Sequence, residues 1–309
     1  MEKLLYGAEA ASPDDKELLE KACRLISEAD AICVGAGAGL STAAGFTYSG
    51  ARFDKYFTAF RNKYGYGDMY SGGFYPYATP EEYWGFWARY IYCNRYDQPA
   101  DPVYGNLLSL VKGRNYFVLT TNVDHRFQIC GFDKKRLFYT QGDYGLFQCS
   151  VPCHKKTYDN ETAIRRMIAE EKDLKTPASL LPVCPICGKP MSPNLRSDDT
   201  FVEDDGWQQA AHRYMLFIRE NQKKKIVFLE LGVGMNTPSI IKFPFWHMTS
   251  LFPSANYICV NMEQLPIPKQ IQNKCICFEK DIAEVLSEMK AILSGGGDPP
   301  AGDQNISAL

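Results

Sequence analysis

The 309-residue chain has no stretch near the ~18 uncharged apolar residues that a bilayer span requires, so no membrane role is expected. It also lacks an excess of either charge. Its 34 Lys+Arg against 36 Asp+Glu leave −2, too weak a field to gather a polyanion, and no nucleic-acid partner is expected. No internal repeat is visible. The opening residues MEKLLYGAEAASPDDKE carry acids where a secretory signal carries an apolar run, and 11 cysteines are too dilute in this length for a disulfide scaffold. The expectation is a cytoplasmic protein with reduced thiols. What is present is ordinary for a globular protein: 45% apolar and 23% charged residues, in a length that suits two domains or one core with insertions.

Ser12, Pro13, Asp14 and Asp15 form a helix-start signature, and Leu18, Ala22, Leu25, Ile26 and Ala29 follow at helical spacing. Buried-strand patterns occupy 31–34, 116–121, 226–232, 257–261 and, more briefly, 275–278, with helical patterns between or after several of them. This alternation predicts an α/β fold, a Rossmann-like doubly wound parallel sheet built from 12–45, 106–147 and 197–293. Two segments break the rhythm. Residues 46–105 hold 20 of the 41 aromatics but six basic and six acidic residues, which favours packing or an apolar cleft over a base-stacking groove. Residues 148–196 hold paired cysteines. Together they are expected to form a smaller helical and zinc-binding domain, with 294–309 as a disordered Gly/Pro-rich tail.

Chemistry concentrates in a few places. Glycines 35, 37, 39 and 45 follow the first strand, allowing backbone N–H groups to approach a diphosphate at a helix start; a tight turn without ligand is the alternative, because no strict G-x-G-x-x-G is present. Cys149-x3-Cys153 and Cys184-x2-Cys187 offer four thiolates for a structural zinc, with His154 as a substitute for Cys153 and free thiols as the alternative.

Read in order, Gly37-Ala38-Gly39-Leu40-Ser41 through Gly45, Thr120-Thr121-Asn122-Val123-Asp124, the four cysteines, Gly232-Val233-Gly234, Val260-Asn261 and Lys280-Asp281-Ile282 resemble the ordered motifs of the sirtuins, NAD-consuming deacylases and ADP-ribosyltransferases. The resemblance spans residues 15–293. It implies NAD contacts from Gly37, Ala38, Gly39, Thr121, Asn122, Val123, Asp124, Gly232, Val233, Gly234, Asn261, Met262, Asp281 and Ile282.

Two departures point to a subclass. Phe46-Thr47-Tyr48-Ser49-Gly50 replaces the usual I-P-D-F-R loop, and Gln141-Gly142 stands where the family has His-Gly. These features resemble the macrodomain-linked sirtuins (the SirTM class), which implies an acceptor such as a lipoyl-carrying, glycine-cleavage-H-like protein and a macrodomain ADP-ribosyl hydrolase as a further partner. A glutamine amide cannot serve as the family's base, so deacylation should be crippled while ADP-ribosyl transfer survives. Asn122, Asp124 and Gln141 are the expected catalytic residues, acting by position and charge. In isolation Asn122-Val123-Asp124 also reads as a helix cap. His125 is expected to face elsewhere, and Arg196 to be a solvated surface residue. A deacylase with an unorthodox base and a non-catalytic NAD or ADP-ribose sensor are the alternatives. A dehydrogenase would need Asp54 at a strand end.

Overall fold

The structure, a computed structural model, describes residues 15–99, 101–235, 237–263 and 266–295. The expected helix start at Ser12 and residues 296–309 of the expected disordered tail lie outside them; Ser294 and Gly295 close a helix. The described strands are β1 (Ala31–Ala36), β2 (Tyr116–Thr120), β3 (Leu137–Tyr139), β4 (Gly142–Cys149), β5 (Tyr158–Asp159), β6 (Met191–Leu195), β7 (Ile226–Leu231), β8 (Asn256–Asn261) and β9 (Cys275–Glu279).

Six of them make a parallel sheet in the order β3-β2-β1-β7-β8-β9, the Rossmann-like order. Every residue of β1, β2 and β7 is buried, because helices cover both faces. Ile32, Val34 and Ala36 face one core, with the helices Asp15–Glu28, Pro102–Val111 and Ile282–Gly295. Ala31 and Cys33 face the opposite core, with Asp205–Asn221 and Lys242–Leu251. Period-2 alternation thus divides an all-apolar strand between two layers.

The aromatic segment makes a third core. Phe53, Phe57, Phe60, Trp84, Phe86 and Tyr90 pack with Tyr144, Phe147 and Cys149, and the Phe57 and Phe86 rings lie 5.2 Å apart. Local chemistry starts its helices: Thr79 accepts from the Glu82 N–H ahead of Pro80, and Asp101 accepts from the Tyr104 N–H ahead of Pro102. Beside this core, β5, β4 and β6 form a small antiparallel sheet. The expected boundary at 147/148 therefore falls inside β4, which runs from the edge of the parallel sheet into the cysteine-bearing segment.

Strand order reverses between β1 and β7, which opens a crevice at their carboxyl ends. There the backbones meet closely. A Cβ on Gly39 would stand 2.6 Å from Gly232 Cα, and one on Gly37 2.6 Å from the Gly232 oxygen. Gly232 adopts φ +61°, a left-handed conformation that favours glycine. Gly35 is a packing residue: a Cβ there would collide with Ile241 and Phe245.

Candidate active site

The turn after β1 enters a short helix, Ala38–Ala43, whose first N–H groups have no intrahelical partner. The N–H groups of Gly37 and Gly39 point inward instead, donating to the Leu231 and Gly232 carbonyls at 3.0 Å each. The glycines thus tie the turn after β1 to the end of β7, with their own N–H groups engaged. Gly234 is exposed and no atom stands within 4 Å of an added Cβ there, so that end of the crevice is open.

The segment after β2 places polar side chains against this turn. Asn122 Nδ2 donates to the Gly37 carbonyl at 2.9 Å and to Ser41 Oγ at 3.1 Å, while its N–H donates to Thr120 Oγ1. Ser41 Oγ donates to Asp124 Oδ2 at 2.5 Å and bonds the Tyr104 hydroxyl at 2.8 Å. The Arg126 N–H donates to Asp124 Oδ1, so the aspartate does cap the following turn. Burial holds the Asp124 carboxyl above its ordinary range, although the Ser41 and Arg126 hydrogen bonds oppose the shift. Thr121 is tied by its N–H to the Ala36 carbonyl, and Val123 packs on the aromatic core. Asn122, Val123 and Asp124 lie around one shallow, nearly filled depression with His125, Tyr139, Gly142 and Asp143.

Gln141 sits in the turn between β3 and β4, beside Gly142 of that depression. Its carbonyl accepts from the Arg196 N–H, and no hydrogen bond occupies its side chain among the described residues. His125 turns away from the Ser41–Asp124 network toward β4: it adopts φ +66°, and its Nδ1 lies 2.6 Å from Asp143 Oδ2. A motif search keyed to His-Gly misses it; the paired signal is the histidine after Asp124 and the aspartate after Gly142.

Toward the other end of the crevice, Asn261 bonds the Val233 carbonyl, and Asp281 caps the last helix through the Ala283 N–H at 2.7 Å. Met262 is exposed, whereas the Ile282 side chain is buried in the sheet core and leaves only its backbone for a ligand. Arg196 pairs with Glu203 and lies over the Phe201 ring, a half-exposed stack. In the altered loop, Tyr48 is tied to the core by a 3.0 Å bond to the Tyr144 hydroxyl. Asp54 lies in the first turn of the helix Ala51–Tyr64 and pairs with Arg61, so the dehydrogenase reading has no strand-end acid.

The four cysteines converge. All their sulfurs lie within 4.8 Å of one another, with Cys149–Cys187 at 3.6 Å and Cys153–Cys184 at 3.7 Å. Zn–S bonds of ~2.3 Å in a tetrahedron place sulfurs about 3.8 Å apart, so the donor set fits zinc and is too wide for disulfides. Burial raises the Cys149 thiol, but the Cys153 and Val151 N–H groups and the neighbouring sulfurs outweigh it and bring it down to about 7. His154 bonds Cys153 Sγ and, through Nε2, the Tyr158 hydroxyl, so it supports the cluster rather than replacing a ligand. With four protein ligands the zinc would be structural.

No protein-family model matches the chain. A Staphylococcus aureus "Protein ADP-ribosyltransferase" is 38% identical over 289 residues, covering 93% of this chain and 92% of the relative. A Fusarium oxysporum f. sp. cubense "Probable bifunctional ADP-ribose hydrolase/ADP-ribosyltransferase" is 32% identical over 231 residues, 71% of this chain but only 38% of the relative's length. Among solved structures, "Sir2-p53 peptide-NAD+" aligns with TM-score 0.56 and 20% identity, covering 90% of this chain and 98% of the other. A Sir2 homologue mutant in complex with 2'-O-acetyl ADP ribose aligns with TM-score 0.59 and 18% identity, covering 92% and 99%.

Proposed function

The chain belongs to the family of sirtuin-fold protein ADP-ribosyltransferases, and from that premise we propose that it transfers ADP-ribose from NAD to a side chain of another protein, with little or no deacylase activity. The observation that carries this reading is the Ser41–Asp124–Asn122 network at the strand-order reversal, combined with a glutamine at the family's histidine position.

In this reading NAD lies across the carboxyl ends of the strands, over Gly37–Gly39, with Gly232–Gly234 beside it and Asn261, Met262, Asp281 and Ile282 at the adenosine end. Asn122, held by the Gly37 carbonyl and Ser41, positions the nicotinamide ribose. Asp124 presents a fixed negative charge to the carbon that becomes electron-poor as nicotinamide leaves. Gln141, with its amide unengaged, hydrogen-bonds the ribose and the acceptor approach without taking a proton.

The acceptor we propose is a lipoylated, glycine-cleavage-H-like carrier protein in the cytoplasm, with a macrodomain hydrolase as the partner that removes the mark. The joint hydrolase and transferase name of the Fusarium relative supports that pairing. The test is incubation with NAD and the purified lipoylated carrier, followed by intact-mass measurement. A gain of one ADP-ribose on the lipoylated carrier is expected. Labelling of an unlipoylated carrier to the same extent would overturn the lipoyl assignment.

A further inference from the structure

The tip of the cysteine-bearing segment carries side chains that no part of the transfer described above uses. Val151 lies between Cys149 and Cys153, and Val183 and Ile186 flank Cys184, yet these three are 52%, 61% and 68% exposed. The backbone decides this. The Val151 N–H turns in to the Cys149 sulfur and the Ile186 N–H to the Cys184 sulfur, while the side chains of both residues stay in solvent. Ser150 donates through its N–H and Oγ to the Pro190 carbonyl at 3.2 and 2.8 Å, and Val183 bridges to Pro190, so the two turns are stitched into one surface. A single exposed apolar residue is ordinary, whereas three on one tip are a patch that a partner covers. The charge around them has one sign. Lys155, Lys156 and Lys189 are exposed, none is in an ion pair among the described residues, and residues 150–157 and 182–190 contain no acid. In a chain whose net charge is −2, this is a local basic and apolar surface.

We propose that this tip is the docking surface for the acceptor protein, which meets it with acidic side chains around an apolar centre. The proposal rests on the reading of the segment around Asn122 and Asp124 as the transfer site. β4 connects the two places: Gly142 lies at the depression beside Asn122 and Asp124, and Cys149, at the strand's other end, belongs to the tip. Seven residue steps at ~3.3 Å put them about 20 Å apart. A compact acceptor of about 100 residues, with a radius of gyration of about 13 Å, spans that distance. Its modified side chain then reaches the transfer site while another part of its surface rests on the tip. Apolar contact supplies affinity there, and the lysines select an acidic partner and speed its approach.

The experiment measures the rate of ADP-ribosylation against the concentration of purified lipoylated carrier, at saturating NAD and in ~50 and ~300 mM salt. NAD affinity is followed by calorimetry and zinc by elemental analysis. In wild-type protein the KM for the carrier is expected to rise at least about tenfold between the two salt concentrations, with kcat within about twofold. The charge reversal Lys155→Glu/Lys156→Glu/Lys189→Glu should raise KM at least about tenfold in low salt and flatten its salt dependence. Ile186→Ser should raise KM about fivefold and keep the salt dependence. Both variants should retain zinc, NAD affinity and kcat. A salt-independent KM in wild-type protein, or a wild-type KM in the charge-reversed variant, overturns this inference alone, and the wild-type salt series decides even where a variant loses its zinc. A fall in kcat at unchanged KM also overturns it, since the tip would then act through the fold. Sedimentation of wild-type protein with phosphatidylserine vesicles, with the carrier KM unmoved in both variants, assigns the tip to a membrane instead. Wild-type protein that leaves the carrier unmodified overturns the underlying reading as well.

Discussion

Ser41 Oγ and Asp124 Oδ2, 83 residues apart in sequence, form a 2.5 Å hydrogen bond that ties the turn after β1 to the segment after β2. The bond fixes a carboxylate in a buried place where its charge is costly to the fold. Burial raises the Asp124 carboxyl, so at neutral pH its ionised form weakens folding relative to a neutral isostere. Asp124→Asn should therefore leave the melting temperature unchanged or a few degrees higher while ADP-ribosyl transfer falls by more than about 100-fold. A parallel loss of stability and activity, seen by calorimetry and NAD turnover, would argue for a purely structural carboxylate.

Asp143 has the opposite sign. Burial alone would raise its carboxyl, but the His125 hydrogen bond and the His125 and Arg95 charges outweigh it and hold it below the ordinary range. A depressed carboxyl adds stability above the unfolded value near ~3.9, and that stability disappears as pH falls through the folded value. Wild-type protein should lose stability below about pH 4, and Asp143→Asn should show a flatter acid limb in urea titrations at successive pH values.

The glycines at the two turns separate crowding from freedom. Gly39→Ala sets a Cβ 2.6 Å from backbone at Gly232, which cannot yield cheaply, so a loss of several kcal/mol or failure to fold is expected. Gly105 lies inside the helix Pro102–Val111 with open space around it, and Gly105→Ala should gain about 0.5–1 kcal/mol. Denaturant midpoints measure both.

The cysteine cluster predicts one zinc per chain by elemental analysis. Strand β4 carries Cys149 at its end and pairs with both β5 and β6. Chelation should therefore speed hydrogen exchange in β4 and β6 before it does so in β1 and β7. Simultaneous loss of protection in both sheets, or a zinc-free protein with full protection, would contradict a local structural metal.

Much of this arrangement was legible in the sequence because it depends on local rules. Apolar runs such as Ile226–Leu231 mark strands buried on both faces, and Cys184-x2-Cys187 marks a metal turn. β3, with three residues, and β5, with two, are too short to stand out, and the eight-residue β4 lacks the alternation that marks a half-buried strand, so the sequence does not mark the small antiparallel sheet. Motif order sets Asn122 and Asp124 on one segment, and the structure joins both to Ser41. The His125–Asp143 pair is not legible in the same way, since His125 has a left-handed backbone and its partner Asp143 lies on another element. The inward N–H groups of Gly37 and Gly39 were equally hidden, because their acceptors come from the last residue of β7 and the turn after it.

The central claim is transfer without deacylation, and one reaction tests it most directly. Protein, NAD, lipoylated carrier and an acetyl-lysine peptide are combined, and both products are followed by intact mass. The account predicts one ADP-ribose on the carrier and an unchanged peptide, with Gln141→Ala slowing transfer by about 10- to 100-fold, ~1 to 3 kcal/mol. It predicts that Gln141→His begins to remove the acetyl group. A deacetylated peptide beside an unmodified carrier, or transfer at the wild-type rate in Asn122→Ala, Asp124→Asn and Gln141→Ala alike, would contradict it.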